Sequence, residues 1–233
     1  MFVQAFDPVL EHLKKEINKI QINWSKALGK EKIKLFDSKF LHLYYDRTRH
    51  WYYVDRPNAH GVVVIVPTFK KEGKEYVVFL MTQRPPLGRR NIIEFPAGLI
   101  GDVENGSEDI ETAARRELLE ETGLKVKKIL KTTVADASAS SPGLATEKGS
   151  VVYAECDYNQ PLHQTLEADG GVIKKIVAIE KSQVKPWLEQ KVLQGFTIDT
   201  SVFASLYTMP DELPMVIPDQ WVMYDSDKEN GNT

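Results

Sequence analysis

Residues 94–124 have the sequence EFPAGLIGDVENGSEDIETAARRELLEETGL, which predicts a loop followed by one helix. Ser107 is a suitable N-cap because its hydroxyl can accept a hydrogen bond from the first helical turn. Acidic residues follow it, at the positive end of the helix dipole. Gly123 can adopt the left-handed conformation that ends many helices. The helix is therefore predicted to span residues 108–122.

One face of this helix combines apolar residues with carboxylates. At about 100° per residue, six residues lie within about 120° of one another: Ile110, Ala113, Ala114, Glu117, Glu120 and Glu121. Inward-facing carboxylates repel one another and lose hydration unless cations neutralise them, and Mg²⁺ suits a few carboxylate oxygens together with a substrate phosphate. A solvated acidic face is the commoner meaning of a Glu-Glu pair, but the apolar half of the stripe favours the metal site.

The second half of this stretch resembles the Nudix box of the Nudix hydrolases, which has a Gly, five residues, a Glu, seven residues and then REUxEExGU with U apolar. The matching segments are Arg116-Glu117-Leu118, Glu120-Glu121 and Gly123-Leu124, with Glu108 eight residues before Arg116. In a regular helix Glu108 points away from the metal face, so we assign it to the helix N-terminus.

The first half of the motif departs from the family pattern. Its spacing requires a glycine at Asp102, whereas the glycines are Gly98 and Gly101. We interpret Gly98 as the box glycine, which implies four extra residues in the loop at 101–107. Pro96 and Gly98 are predicted to shape the turn before that loop.

Three further stretches resemble the ADP-ribose pyrophosphatases of that family. The run at 94–100 resembles E(L/F)PAGLI, which implies that the backbone carbonyl of Ala97 is a metal ligand. The segment SPGLATE at 141–147 resembles SPGxxxE, which implies that Glu147 is a general base or late metal ligand. Gln83-Arg84 resembles the family's QR sequence, which implies that Arg84 contacts the substrate; we assign Glu94 to the substrate as well.

The resemblance implies metal-dependent hydrolysis of the pyrophosphate bond in a nucleoside diphosphate linked to another moiety. The implied ligands of Mg²⁺ or Mn²⁺ are Ala97, Glu117, Glu120 and Glu121. Glu120 or Glu147 would take a proton from the attacking water, and Arg116 would hold a box carboxylate in place. ADP-ribose, giving AMP and ribose 5-phosphate, is the preferred substrate. The sequence leaves open a different substrate, which could be another nucleotide sugar, NADH or a dinucleoside polyphosphate. It also leaves open a non-catalytic domain that senses a nucleotide.

The resemblance covers about residues 57–206 and implies an α/β/α sandwich with a mixed β-sheet. Residues 57–224 are predicted to form this domain, and residues 225–233 a disordered tail. Residues 1–56 are predicted to form an amphipathic helix at 8–20 and a small antiparallel sheet, a region that often builds a homodimer in the family. Trp51, Tyr52 and Tyr53 lie in a predicted hairpin, where packing is a commoner role than base stacking. The other predicted elements are strands at 32–36, 40–45, 50–54, 61–67, 75–82, 125–134, 149–155 and 171–179 and a helix at 182–194.

Composition narrows the class of protein. The 233 residues carry a net charge of −3 and no basic block, which argues against nucleic-acid binding by bulk electrostatics. The single cysteine, Cys156, excludes an internal disulfide and fits a reducing compartment. The longest apolar run, 62–66, is far too short to span a bilayer, and the first residues contain no apolar run of signal-peptide length. The protein is therefore predicted to be soluble and cytoplasmic, without a membrane or nucleic-acid partner.

Overall fold

The computed structural model describes residues 31–57, 59–101, 108–133, 138–159, 161–164 and 172–207. The predicted helix at 8–20 and the predicted tail at 225–233 lie outside these residues. None of the helices in the described ranges is long and apolar enough to cross a membrane.

A three-stranded antiparallel sheet precedes the main sheet, as predicted. Its strands are β1 (Lys32–Asp37), β2 (His42–Asp46) and β3 (Trp51–Asp55), in the order β1-β2-β3. Across β2 and β3, the rings of Tyr44 and Tyr53 stack at 5.2 Å and those of Tyr45 and Tyr52 at 4.6 Å. Such cross-strand pairs stabilise an antiparallel sheet, so these tyrosines have a packing role.

The main sheet has eight strands in the described residues: β4 (Gly61–Lys71), β5 (Lys74–Thr82), β6 (Ile92–Glu94), β7 (Ala97–Ile100), β8 (Lys125–Thr132), β9 (Gly149–Asp157), β10 (Ile173–Glu180) and β11 (Thr197–Ile198). The order is β11-β6-β5-β4-β9-β8, with β10 paired to β5 and β7 paired to β4. β4 runs parallel to β9 and antiparallel to β5 and β7, so the sheet is mixed. Among the described strands, β8 lies at one edge.

Helices cover both faces of the main sheet. They are α1 (Ile110–Thr122), α2 (Val184–Leu193) and α3 (Thr200–Tyr207). On one face Leu118 of α1 belongs to the same apolar cluster as Val78 of β5, and on the other Leu188 of α2 belongs with Phe79 and Tyr153. The predicted α/β/α sandwich is therefore confirmed.

Two local predictions in the central stretch were wrong. α1 begins at Ile110, not Glu108, because Asp109 has an extended backbone and its Oδ1 accepts a hydrogen bond from the Thr112 amide at 2.8 Å. This bond lowers the pKa of Asp109. Residues 97–100 form the strand β7, and not a turn, because their backbone pairs with β4 from Gly61 to Val64.

Cys156 is expected to be unreactive in the folded protein. It lies in the core, and burial raises the pKa of its thiol to about 12. Because the thiolate is the reactive form, a chromogenic disulfide reagent should modify Cys156 only after unfolding. Colour release in neutral buffer with and without denaturant measures this, and fast stoichiometric reaction in native buffer would contradict it.

Candidate active site

The box helix α1 lies against β7. Glu121 is only 3% exposed, and its Oε2 accepts a hydrogen bond from the Ala97 amide at 3.1 Å. The side chains of Glu117 and Glu120 are 14% and 21% exposed. The structure thus brings the predicted metal-binding residues to one end of α1 and the start of β7.

The inward face of α1 is turned relative to the prediction. The buried residues of the helix are Ala113, Ala114, Leu118, Glu121 and Thr122. The face is therefore centred closer to Leu118 than the predicted stripe was. Glu121 points into the core, whereas Glu117 and Glu120 lie at its border, where a ligand from solvent can reach them.

Gly98 leaves room for one of these carboxylates. A Cβ atom at this position would lie 1.9 Å from Cδ of Glu117. Gly98 belongs to β7, so the glycine provides space for a close approach and not the turn that the sequence suggested.

Arg116 joins several carboxylates. Its Nη1 donates to Glu117 Oε1 at 2.7 Å and lies 3.6 Å from Glu120 Oε2. Its Nε and Nη2 donate to the two oxygens of Glu108 at 2.9 and 3.0 Å, and Nη2 also donates to the Leu99 carbonyl at 3.2 Å. The bond to Glu108 is the largest cause of a raised pKa of Arg116. Arg116 therefore links Glu108 and Glu117 to the backbone of β7.

Glu108 has a role that the sequence analysis missed. It precedes α1, its side chain is 3% exposed, and it accepts from the Gly101 amide at 3.3 Å as well as from Arg116. The hydrogen bonds from Arg116 are the main cause of its lowered pKa. The spacing of the motif, with a Glu eight residues before the Arg, was the available signal.

Glu108→Gln is expected to lower the free energy of unfolding by about 1–3 kcal/mol near neutral pH, because it weakens a charge-assisted hydrogen bond. The folded-state pKa of Glu108 lies below its ordinary value of 4.5, so its contribution is present above that pH and is lost as the pH falls through the lowered value. Urea unfolding of wild type and variant between about pH 7 and about pH 3 measures the difference, which should shrink on acidification. A difference independent of pH would contradict this prediction.

The two predicted substrate-binding residues pair with each other. Arg84 Nε lies 3.3 and 3.1 Å from the two oxygens of Glu94, and its Nη2 donates to Oε2 at 2.9 Å. The Arg84 side chain is 38% exposed and that of Glu94 is 13% exposed. Glu94 thus orients a guanidinium that remains accessible from solvent.

Glu147 lies next to the small sheet. In the described part of the chain its charged partner is Arg56, whose Nε lies 3.0 Å from Glu147 Oε1. Arg56 follows β3, far from Glu147 in sequence, and no local pattern signals their contact. Arg56 could therefore not be recognised as a partner of Glu147 from the sequence alone.

A family model described as NUDIX domain matches residues 59–192. The chain belongs to the Nudix family. The match runs from the start of β4 into α2 and includes the box helix, so the predicted family is confirmed.

Relatives agree with this Nudix assignment. An uncharacterized Nudix hydrolase of Schizosaccharomyces pombe is 29% identical over 200 residues, which cover 81% of this chain and 89% of that protein. An ADP-ribose pyrophosphatase of Bacillus subtilis is 37% identical over 139 residues, 56% of this chain and 65% of that protein. An ADP-ribose pyrophosphatase of Saccharomyces cerevisiae is 30% identical over 145 residues, 61% of this chain and 59% of that protein. The predicted class of activity, a Nudix pyrophosphohydrolase, is confirmed.

Proposed function

We propose that this Nudix hydrolase cleaves the pyrophosphate bond of ADP-ribose to give AMP and ribose 5-phosphate. The observation that carries the proposal is the set of glutamates that α1 holds beside β7, with Arg116 bound to Glu117 at 2.7 Å. The names of the Bacillus subtilis and Saccharomyces cerevisiae relatives support ADP-ribose as the substrate. A homodimer and a cytoplasmic location remain predictions.

Nudix hydrolases in general need divalent cations. The carboxylates of Glu117, Glu120 and Glu121 suit such an ion, because neighbouring carboxylates that are shielded from water need positive charge close to them. Arg116 supplies part of that charge, and among the described residues no three acidic, His or Cys side chains converge on one point. We therefore expect Glu117 to turn away from Arg116 when Mg²⁺ or Mn²⁺ binds. The proposed ligands are the Ala97 carbonyl, Glu117, Glu120 and Glu121.

The bound cation would stabilise the charge that develops on the pyrophosphate oxygens. Glu120 or Glu147 takes a proton from the attacking water. The water oxygen forms a bond to one phosphorus as the bond to the bridging oxygen breaks, and the other phosphate monoester leaves. Arg84, held by Glu94, binds phosphate oxygens through its guanidinium.

Product analysis with a substrate panel tests the proposal. The protein is incubated with Mg²⁺ or Mn²⁺ and, separately, ADP-ribose, ADP-glucose, GDP-mannose, NADH and diadenosine polyphosphates. AMP and ribose 5-phosphate should form fastest from ADP-ribose. Faster cleavage of another compound would make that compound the substrate in place of ADP-ribose. Binding of a nucleotide without turnover under either metal would indicate a sensor and overturn the proposal.

A further inference from the structure

The segment before Glu147 runs along the small sheet like an added strand. The Val54 amide donates to the Leu144 carbonyl at 2.7 Å, and the Thr146 amide donates to the Val54 carbonyl at 3.0 Å. Val54 and Ala145 form a parallel β-bridge. We call residues 143–148 the Glu147 loop; backbone hydrogen bonds thus tie its middle to β3.

Side chains from β3 and the residue after it extend this contact at both ends. At one end, the Trp51 indole Nε1 donates to the Gly143 carbonyl at 2.8 Å. At the other end, Thr146 Oγ1 donates to Asp55, and Arg56 Nε lies 3.0 Å from Glu147 Oε1. Residues along β3 and directly after it therefore contact the loop in the same order along both segments.

The Glu147 loop is also tied to the main sheet. The Val62 amide of β4 donates to the Lys148 carbonyl at 2.9 Å, and β9 begins directly afterwards at Gly149. The position of the Glu147 carboxylate therefore depends on two sheets, and among the described residues its charged partner is Arg56, which directly follows the last strand of the small sheet.

The ion pair has the properties expected of a positioning contact. The Arg56 side chain is 51% exposed and that of Glu147 is 23% exposed, so their pairing adds little to global stability. Glu147 Oε1 is buried and has no hydrogen-bond donor among the described residues, so Arg56 acts on it by charge attraction across the 3.0 Å contact. We therefore expect this arginine to affect the position of the carboxylate more than the stability of the fold. Its loss should be visible in the loop and in catalysis, with little effect on the melting temperature.

We propose that the small sheet is the scaffold for the Glu147 loop, with Trp51 and Arg56 as positioning residues for Glu147. The inference rests on the proposed function, in which Glu147 is a candidate for the group that accepts the proton from water. It adds that residues before the Nudix domain match help to build the active site. A carboxylate displaced by about 1 Å can cost a large part of the rate, so the scaffold should affect turnover.

The first test is backbone hydrogen exchange in residues 143–148, measured by mass spectrometry on the full chain without added metal or substrate. Trp51→Phe keeps an aromatic ring but removes the N–H donor, and Arg56→Gln removes the charge. Both variants should exchange several-fold faster in this loop than wild type. Arg49→Gln is the matched control, because it removes an ion pair of 3.0 Å with Asp46 elsewhere in the same sheet. If the exchange rates of residues 143–148 are unchanged in both test variants, the proposal that the small sheet holds this loop is wrong.

The second test is steady-state hydrolysis of ADP-ribose with Mg²⁺. Arg56→Gln should lower kcat about tenfold with KM nearly unchanged, Arg56→Lys should recover most of the loss, and Glu147→Gln should lower kcat about a hundredfold. In the Glu147→Gln background, Arg56→Gln should have no further effect. A rise in KM without a fall in kcat would make Arg56 a substrate contact and overturn its positioning role.

The two tests separate failure of this inference from failure of the proposed function. If wild type hydrolyses ADP-ribose and Glu147→Gln is fully active, the inference is wrong while the proposed function stands. If wild type hydrolyses no compound of the panel, the proposed function fails, and the exchange experiment alone decides whether the sheet holds the loop.

Discussion

Glu121→Gln is expected to lower kcat for ADP-ribose hydrolysis by at least about a hundredfold, with the fold intact. A neutral amide is a poor ligand for a hard cation. Such a cation stabilises the charge of the transition state by several kcal/mol, and each loss of about 1.4 kcal/mol slows the reaction tenfold. The glutamine side-chain oxygen can still accept the bond from the Ala97 amide, which is 3.1 Å long in the wild type. Kinetics with Mg²⁺, together with thermal unfolding by circular dichroism, measure both effects.

Glu111→Gln is the matched control, because it is the same change on the exposed side of the same helix. It should leave kcat unchanged. Near-full activity of Glu121→Gln would refute the metal assignment. If that variant melts far below wild type, Glu117→Gln at the border of the core gives a second test of the same carboxylate set.

Gly98→Ala is expected to lower kcat by about a hundredfold, because the added methyl group takes up space that Glu117 needs beside β7, and misplacement of a cation ligand by about 1 Å can have an effect of that size. The new Cβ would overlap the Glu117 carboxyl group, with 1.9 Å to Cδ, so the Glu117 side chain has to move away from β7. A glutamate side chain can rotate, whereas the backbone of β7 is fixed by its pairing with β4. The variant should therefore fold and lose activity.

Gly73→Ala separates this effect from a general cost of adding a methyl group. A Cβ at Gly73 meets no atom within 4 Å, but its φ of +77° makes alanine strained. Gly73→Ala should lower the melting temperature and leave kcat unchanged. Wild-type kcat in folded Gly98→Ala would show that the close approach of Glu117 has no part in catalysis.

The box helix and its carboxylates could be predicted because their signals are local. Helical period, capping residues and motif spacing lie within α1 and its flanks. The exact start was wrong because Ser107 and Asp109 are both suitable N-caps, and the choice between them depends on backbone geometry. The rotation of the inward face was missed because apolar period does not show how deeply each side chain packs.

Contacts between distant parts of the chain could not be predicted. Arg56 meets Glu147 only because β3 and the Glu147 loop become neighbours in the fold. β7 was missed for a similar reason, since a four-residue strand gains its hydrogen bonds from β4 and carries almost no pattern of its own. In both cases the information lies in tertiary pairing and not in the neighbouring residues.

The edge strand β8 has a consequence for the assembly of two copies. An edge strand presents unpaired backbone groups that can recruit a second sheet, and lysines along it oppose such recruitment by charge repulsion. Lys125, Lys127, Lys128 and Lys131 are all exposed on β8. Two β8 strands brought together would confront these charges with one another. Lys127 also forms an ion pair with Glu155 at 2.7 Å, so repulsion between the other lysines is what opposes such pairing, and a homodimer is expected to use a different surface.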